Sequence, residues 1–301
     1  MTNKTKKWLV IALSLIILGG LIFVTTMTFL SWDFSKLSVN SYVTNPYDIS
    51  EHFTSISIET KNADIVFEKS NDSTSKVVCY EQEKLRHSVL VEDGTLTIKV
   101  VDERKWYDYI EIGVVSPKIT ITIPQGAYDT LKIDGSTSDI KLGEDFSFNN
   151  IDITVSTGDI CLENTTAKAI NLKTTTGDIS VKNASCNSLA VDVSTGDILL
   201  KEVNCKMLTS TGSTGDIELV KVIATDSIVI ERTTGDVMIE DSDANDIVIK
   251  TSTGDVNGSL CSDKIFDVKT TSGDKNVPTS AVGGSCKITT TTGDVKITIN
   301  K

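Results

Sequence analysis

The sequence of 301 residues is short of the groups most enzymes use. It has two histidines, His52 and His87, and both precede the repetitive half of the chain. No nucleophile elbow, phosphate-binding loop or dinucleotide fingerprint occurs. No Cys-x-x-Cys and no grouping of Cys with His is visible, which argues against zinc. Lys and Arg number 29 against 41 Asp and Glu, a net charge of −12. Nucleic acid needs a dense basic footprint, and none is present, so that partner is excluded. No helical period appears after residue 30. The apolar fraction of 39% suffices for a thin core.

What is present begins with an uncharged run from Trp8 to Leu30, preceded by Lys4, Lys6 and Lys7. The run exceeds about 20 residues, the length that crosses the hydrocarbon core as a helix. It is longer than a signal-peptide core, no Ala-x-Ala site comes after it, and no cysteine ends it. Residues 8–30 therefore read as a single-pass anchor in the cell membrane. The preceding lysines set the N-terminus in the cytoplasm and the bulk of the chain outside it. The alternative is a long cleaved signal peptide, and either way the body is exported.

Residues 31–50 are polar and lack a period, so they read as a linker. Strands are expected at Ile56–Ile58, Ile65–Phe67, Lys76–Glu81, Ser88–Val91, Thr95–Val101, Ile110–Val115 and Lys118–Ile123. Asp93-Gly94 signals a hairpin. Residues 51–130 thus form an all-β region that caps the repetitive half of the chain.

From 131 to 301 one tripeptide, Thr-Gly-Asp, recurs. Its glycines are Gly158, Gly177, Gly196, Gly215, Gly235, Gly254, Gly273 and Gly293, spaced 19 or 20 residues apart. A degenerate copy, Thr137-Ser138-Asp139, precedes them. Rungs start at Leu131, Ile151, Ile170, Leu189, Leu208, Ile228, Ile247, Phe266 and Cys286. Apolar residues fall at rung positions 1, 3, 10 and 12, so each half-rung is a strand with one buried face. A single rung cannot bury that face alone. A fixed repeat near 20 residues with two strands and two turns predicts a parallel β-solenoid, all-β after the N-terminal helix.

Glycine at position 8 supplies positive φ, and the adjacent aspartate closes the turn through backbone N–H groups. The stack makes a column of carboxylates: Asp139, Asp159, Asp178, Asp197, Asp216, Asp236, Asp255, Asp274 and Asp294. At ~4.8 Å spacing, neighbours repel by roughly 1 kcal/mol in water. Backbone donors and the Ser/Thr hydroxyls at positions 6 and 7 can offset this. A Ca2+ ion can too, although one carboxylate per turn would have to be shared between rungs. The structural account of the motif is complete without it, and no other cofactor is expected.

Cys186 and Cys205 share position 17, a small inward site, and read as side-by-side thiols. Cys286 takes a core slot. Cys79, Cys161 and Cys261 have no assignable partner. Two residues break the pattern, Arg232 at position 5 and Lys275 at position 10; both read as surface or end-of-core substitutions. The last rung ends without a cap, so residues 286–301, with Val295, Ile297 and Ile299, expose an edge open to pairing with another chain.

The Ile56–Ile65 opening with Asn62-Ala63-Asp64, then Ile119-Thr-Ile-Thr-Ile-Pro124, then the serial Thr-Gly-Asp rungs, resembles the DUF4097 family of bacterial cell-envelope proteins. The resemblance covers roughly residues 50–301 and extends to LiaG-type proteins. It implies a membrane-anchored extracytoplasmic solenoid of the kind labelled adhesin, and brings no catalytic residues. An envelope protein or glycan is the implied partner. An accessory role in envelope-stress signalling is one alternative. A carbohydrate-active enzyme on a β-helix scaffold is another, and its sign would be a cleft at a deviant rung.

Overall fold

The structure, a computed structural model, describes residues 3–32, 41–106, 116–143 and 145–300. The strand expected at Ile110–Val115 lies outside the described residues.

Asn3–Phe29 is one apolar helix. Three of its hydroxyls, those of Ser14, Thr25 and Thr28, bond to carbonyls within it. Ser14 Oγ donates to the Val10 carbonyl at 2.8 Å and Thr28 Oγ1 to the Val24 carbonyl at 2.7 Å. Such internal bonding is what a lipid-facing helix requires, because no water is available there. Trp8, Ile16, Leu21 and neighbouring side chains remain exposed.

The rest is a β-solenoid of parallel rungs. Period-2 alternation sends one side of each strand inward, and parallel pairing stacks like on like. Rung position 1 forms a ladder through Leu131, Ile151, Ile170, Leu189, Leu208, Ile228 and Ile247. Position 10 forms a second through Ile140, Ile160, Ile179, Ile198, Ile217, Val237 and Val256. All these side chains are buried in one continuous core.

The N-terminal region contributes layers of its own. Strand Ser55–Thr60 lies parallel beside the Leu131 rung, pairing Ile56 with Leu131. Asp64–Lys69 pairs Ile65 with Ile140. The next layer outward is Thr95–Asp102 with Lys118–Ile123, again parallel. Antiparallel strands then close the end. Ser75–Gln82 pairs with Lys118–Ile123, Leu85–Glu92 with Thr95–Asp102, and Tyr42–Ile49 with Ser75–Gln82. The last pairing corrects the linker reading of 31–50: residues 42–49 are a strand. Its outer edge carries Pro46, which cannot donate to a further strand.

The C-terminal end brings a second correction. The last rung in sequence is not the last in space. Gly284–Thr292 sits between Val237–Lys250 and Lys264–Ser272, pairing Ile247 with Cys286 and Cys286 with Phe266. Val295–Ile299 likewise lies between Val256–Leu260 and Lys275–Asn276. Residues 286–292 are therefore internal rather than an open edge. The terminal layer is the one that carries Lys275. An ammonium at an inward position would be buried without a partner anywhere else. At the end of the rod Lys275 is exposed, and Phe266 and Val268 are half-buried. Cys286, Ile288, Val295 and Ile297, one layer in, are fully buried.

Candidate functional site

The Thr-Gly-Asp corner is built from backbone constraints. Gly177, Gly196 and Gly215 have φ of 139°, 143° and 124°, and the other repeat glycines match them. A Cβ on any of the eight would fall 2.0–2.1 Å from a backbone oxygen of the adjacent rung. Glycine is thus required twice, by φ and by close approach.

The aspartates form a ladder. Each Oδ1 accepts the N–H of the equivalent residue one layer along. The bonds run from Asp139 N to Asp64, and onward through Asp159, Asp178, Asp197, Asp216, Asp236 and Asp255, at 2.7–3.0 Å. The inverted rungs keep the sequence in space: Asp294 N donates to Asp255, and Asp274 N to Asp294, both at 2.8 Å. Charge-assisted bonds of this kind are the strong class, and they offset the repulsion along the column. The hydroxyls at positions 6 and 7 are not the helpers. Position 5 points inward instead, where Thr174, Thr270 and Thr290 Oγ1 donate to the carbonyls of Gly158, Gly293 and Gly254.

Arg232 occupies position 5 of its rung and is 5% exposed, which corrects its reading as a surface or end-of-core residue. Gly212, one rung back, makes its space: a Cβ there would sit 1.8 Å from Arg232 Nη1. Nη1 donates to the Val193 carbonyl at 3.3 Å. Burial pulls the guanidinium pKa down, while Asp197, Asp192 and Asp216 oppose that shift. Arg232 is thus a buried cation placed behind the carboxylate column.

A second corner recurs at rung position 14. Asn164, Asn183, Glu202, Lys221 and Asp241 all have φ near 50°. Asn and Asp tolerate this conformation best. Their appearance at three of five copies was a usable signal that Glu202 and Lys221 obscured.

Position 17 is the small inward site expected, with Ala167, Cys205, Ala224 and Ala244 buried. Cys186 and Cys205 stand as free thiols on adjacent rungs. Each perturbs the other, and the Cys186 thiol is raised by its hydrogen bond with Cys205 and by burial.

The N-terminal cap holds a cluster that single-strand reading missed. Cys79 and Glu81 alternate on one strand, and His87 lies on the next. One ligand atom from each lies within 4.8 Å of the others, and all three residues are buried. This corrects the absence of a Cys/His grouping. Glu81 Oε2 is 2.8 Å from His87 Nδ1 and accepts the His87 backbone N–H at 2.7 Å. Asn45 Nδ2 donates to Glu81 Oε1 at 2.7 Å, and His87 Nε2 is 3.0 Å from Thr60 Oγ1. Burial, and then the Glu81 charge, push the Cys79 thiol up to about 12. The Cys-x-Glu alternation was legible. That a turn at 83–84 returns the chain so that His87 meets both was not. Among the described residues this is the one group of three such ligands, and the Asp column forms none.

Two grooves mark the ends. One, about 730 Å3, is lined by residues including Asp48, Glu51, His52, Phe53 and Tyr128. The other, about 600 Å3, lies beside a bulge between Ile239 and Ser242 and includes Met238, Glu240, Lys296 and Asn300. The second accompanies a deviant rung but carries one carboxylate, so it lacks the pair that glycosidase chemistry requires. Along the body a smaller groove, about 220 Å3, includes Asp152, Lys173 and Asp192, and cross-rung pairs such as Lys173–Asp192 at 2.7 Å and Lys250–Glu231 at 2.6 Å recur.

These features define a parallel β-solenoid with an N-terminal apolar helix. The chain belongs to the Toastrack DUF4097 family, whose model matches residues 53–240 and 213–301. No curated protein matches it. Solved structures are similar to it at low identity. One from Parabacteroides distasonis ATCC 8503, described as a "putative lipid binding protein", is 16% identical with a TM-score of 0.54, covering 87% of this chain and 98% of that one. A "putative adhesin" from Bacteroides fragilis NCTC 9343 is 16% identical with a TM-score of 0.47, covering 86% and 97%. Another "putative adhesin" from P. distasonis is 14% identical with a TM-score of 0.45, covering 87% and 98%.

Proposed function

We propose that this protein is a non-catalytic, adhesin-like binding module anchored in the cell membrane by residues 8–30, with its solenoid on the extracytoplasmic side. The carrying observation is the rod itself. In its corner motif each Oδ1 accepts a backbone N–H, and its long face is a rigid, largely polar surface built of stacked strands. Such a surface suits an extended ligand better than a small substrate. The family's envelope character supports the same reading. The ligand class that fits is an envelope glycan or protein.

The test has two arms. Protease added to intact cells should remove residues 41–300, and the full chain in nanodiscs should co-sediment with cell-wall sacculi or fixed cells. A protected solenoid would contradict the topology. An exposed solenoid that is retained by neither material would contradict the binding role.

A further inference from the structure

We propose that Cys79, Glu81 and His87 form a Zn2+ site that staples the N-terminal cap of the solenoid.

The donor set is the starting point. Thiolate sulfur, imidazole nitrogen and carboxylate oxygen are the three ligand types zinc takes from proteins. All three come from buried residues, with the Glu81 and His87 side chains each 1% exposed. Their ligand atoms converge within 4.8 Å. Bonds of about 2.0–2.3 Å in a tetrahedral shell put ligands roughly 3.3–3.8 Å apart, so modest movement closes the site. Glu81 and His87 move slightly apart from their present 2.8 Å.

The surroundings hold the ligands as metal sites require. Nε2 of His87 faces Thr60 Oγ1 at 3.0 Å, which fixes the ring and leaves Nδ1 for the metal. Thr60 Oγ1 also accepts the Ala63 N–H at 3.3 Å. Asn45 orients the carboxylate from the outermost strand through Oε1. Partners of this kind set ligand orientation and basicity. On binding, the Cys79 thiol proton leaves to solvent and the ring proton resides on Nε2. Sulfur, Nδ1 and Oε2 then each donate a lone pair, and the protein's three ligands leave a fourth position for solvent.

The site has a mechanical rationale. Cys79 and Glu81 lie on Ser75–Gln82, His87 on Leu85–Glu92, and Asn45 on Tyr42–Ile49. Ser75–Gln82 and Leu85–Glu92 meet in register at a single pair, Gln82 with Leu85. A metal held by both strands joins what the ladder leaves nearly unpaired.

The full chain in detergent micelles, stripped of metal by a chelator, is titrated with Co2+. One Co2+ per chain should bind, giving sulfur-to-cobalt absorption and tetrahedral d–d bands that Zn2+ abolishes. Cys79→Ser should lose the sulfur band, and Thr60→Val should weaken binding about tenfold. A Cys186→Ser/Cys205→Ser variant keeps the band, which separates this site from the other thiol pair. No sulfur band in the unmodified chain overturns the proposal. So does a band that disappears in the Cys186/Cys205 variant. A proton shared by Glu81 and His87 is the competing occupant, and it gives no band.

Discussion

At the residue scale, the glycines and aspartates of the corner have separable roles. Gly196→Ala places a Cβ 2.1 Å from the Gly177 oxygen at a φ of 143°, and should cost ~3 kcal/mol or more. Gly126→Ala meets nothing within 4 Å and should change stability by less than about 1 kcal/mol. Comparing their thermal melts checks both. Asp178→Ala removes the acceptor of the Asp197 N–H and should destabilise by about 1 kcal/mol. Asp178→Asn keeps an acceptor oxygen and removes one repelling charge, so it should stay within about 0.5 kcal/mol of the parent. If Asn proves as damaging as Ala, the charge matters beyond the hydrogen bond. Asp102 supplies a pH dependence. Hydrogen bonds from Arg104, and then from Lys61, hold its carboxyl well below the usual carboxylate range. A depressed folded pKa adds stability that is complete above the unfolded pKa and lost as pH falls through and below it. The melting difference between the parent and Asp102→Asn should therefore be flat from pH 7 to 5 and shrink below about pH 4. A difference that widens on acidification would refute that sign.

At the scale of strands and rungs, the repeat made the architecture legible. Inward positions 1, 3, 10 and 12, the glycine corner and the small position 17 were all readable, because each rung restates them. Rung order was not. Every rung carries the same pattern, so periodicity cannot tell which rung stacks on which. The connection through 261–263 passes over one layer, which at about 4.8 Å per layer three residues can span, and 277–283 brings the chain back into the gap. Lys275 was the usable clue, since its ammonium belongs at an end. The N-terminal cluster was hidden for a related reason: antiparallel strands that barely pair give no register from which to bring Cys79 to His87. The inverted order can be tested by cross-linking. Val248 pairs with Lys287 and Lys287 with Asp267. A Val248→Cys/Lys287→Cys variant, with Cys261 removed, should form a disulfide. Val248→Cys/Asp267→Cys, which sequential stacking would bring together, should not. The opposite outcome restores sequential order.

At the scale of the whole molecule, both ends of the rod share one plan. The terminal rung in sequence lies one layer in, and a later or earlier segment covers it. At the start, antiparallel strands and Pro46 close the edge. At the finish, the polar Lys264–Asn276 rung does so, with Lys264 buried against Asp243 at 2.6 Å. Natural sheets blunt their edges with such charges and prolines. Between the ends runs the aspartate ladder, and we infer from its backbone hydrogen bonds that it carries negative charge along the rod without an ion to hold it. That is the central claim, and calcium titration of the full chain in micelles, with no chelator present, tests it most directly. The account predicts a thermal midpoint that does not move as Ca2+ rises into the millimolar range. A midpoint that climbs and saturates with Ca2+, and does so less when Asp178 and Asp197 become Asn, would contradict it.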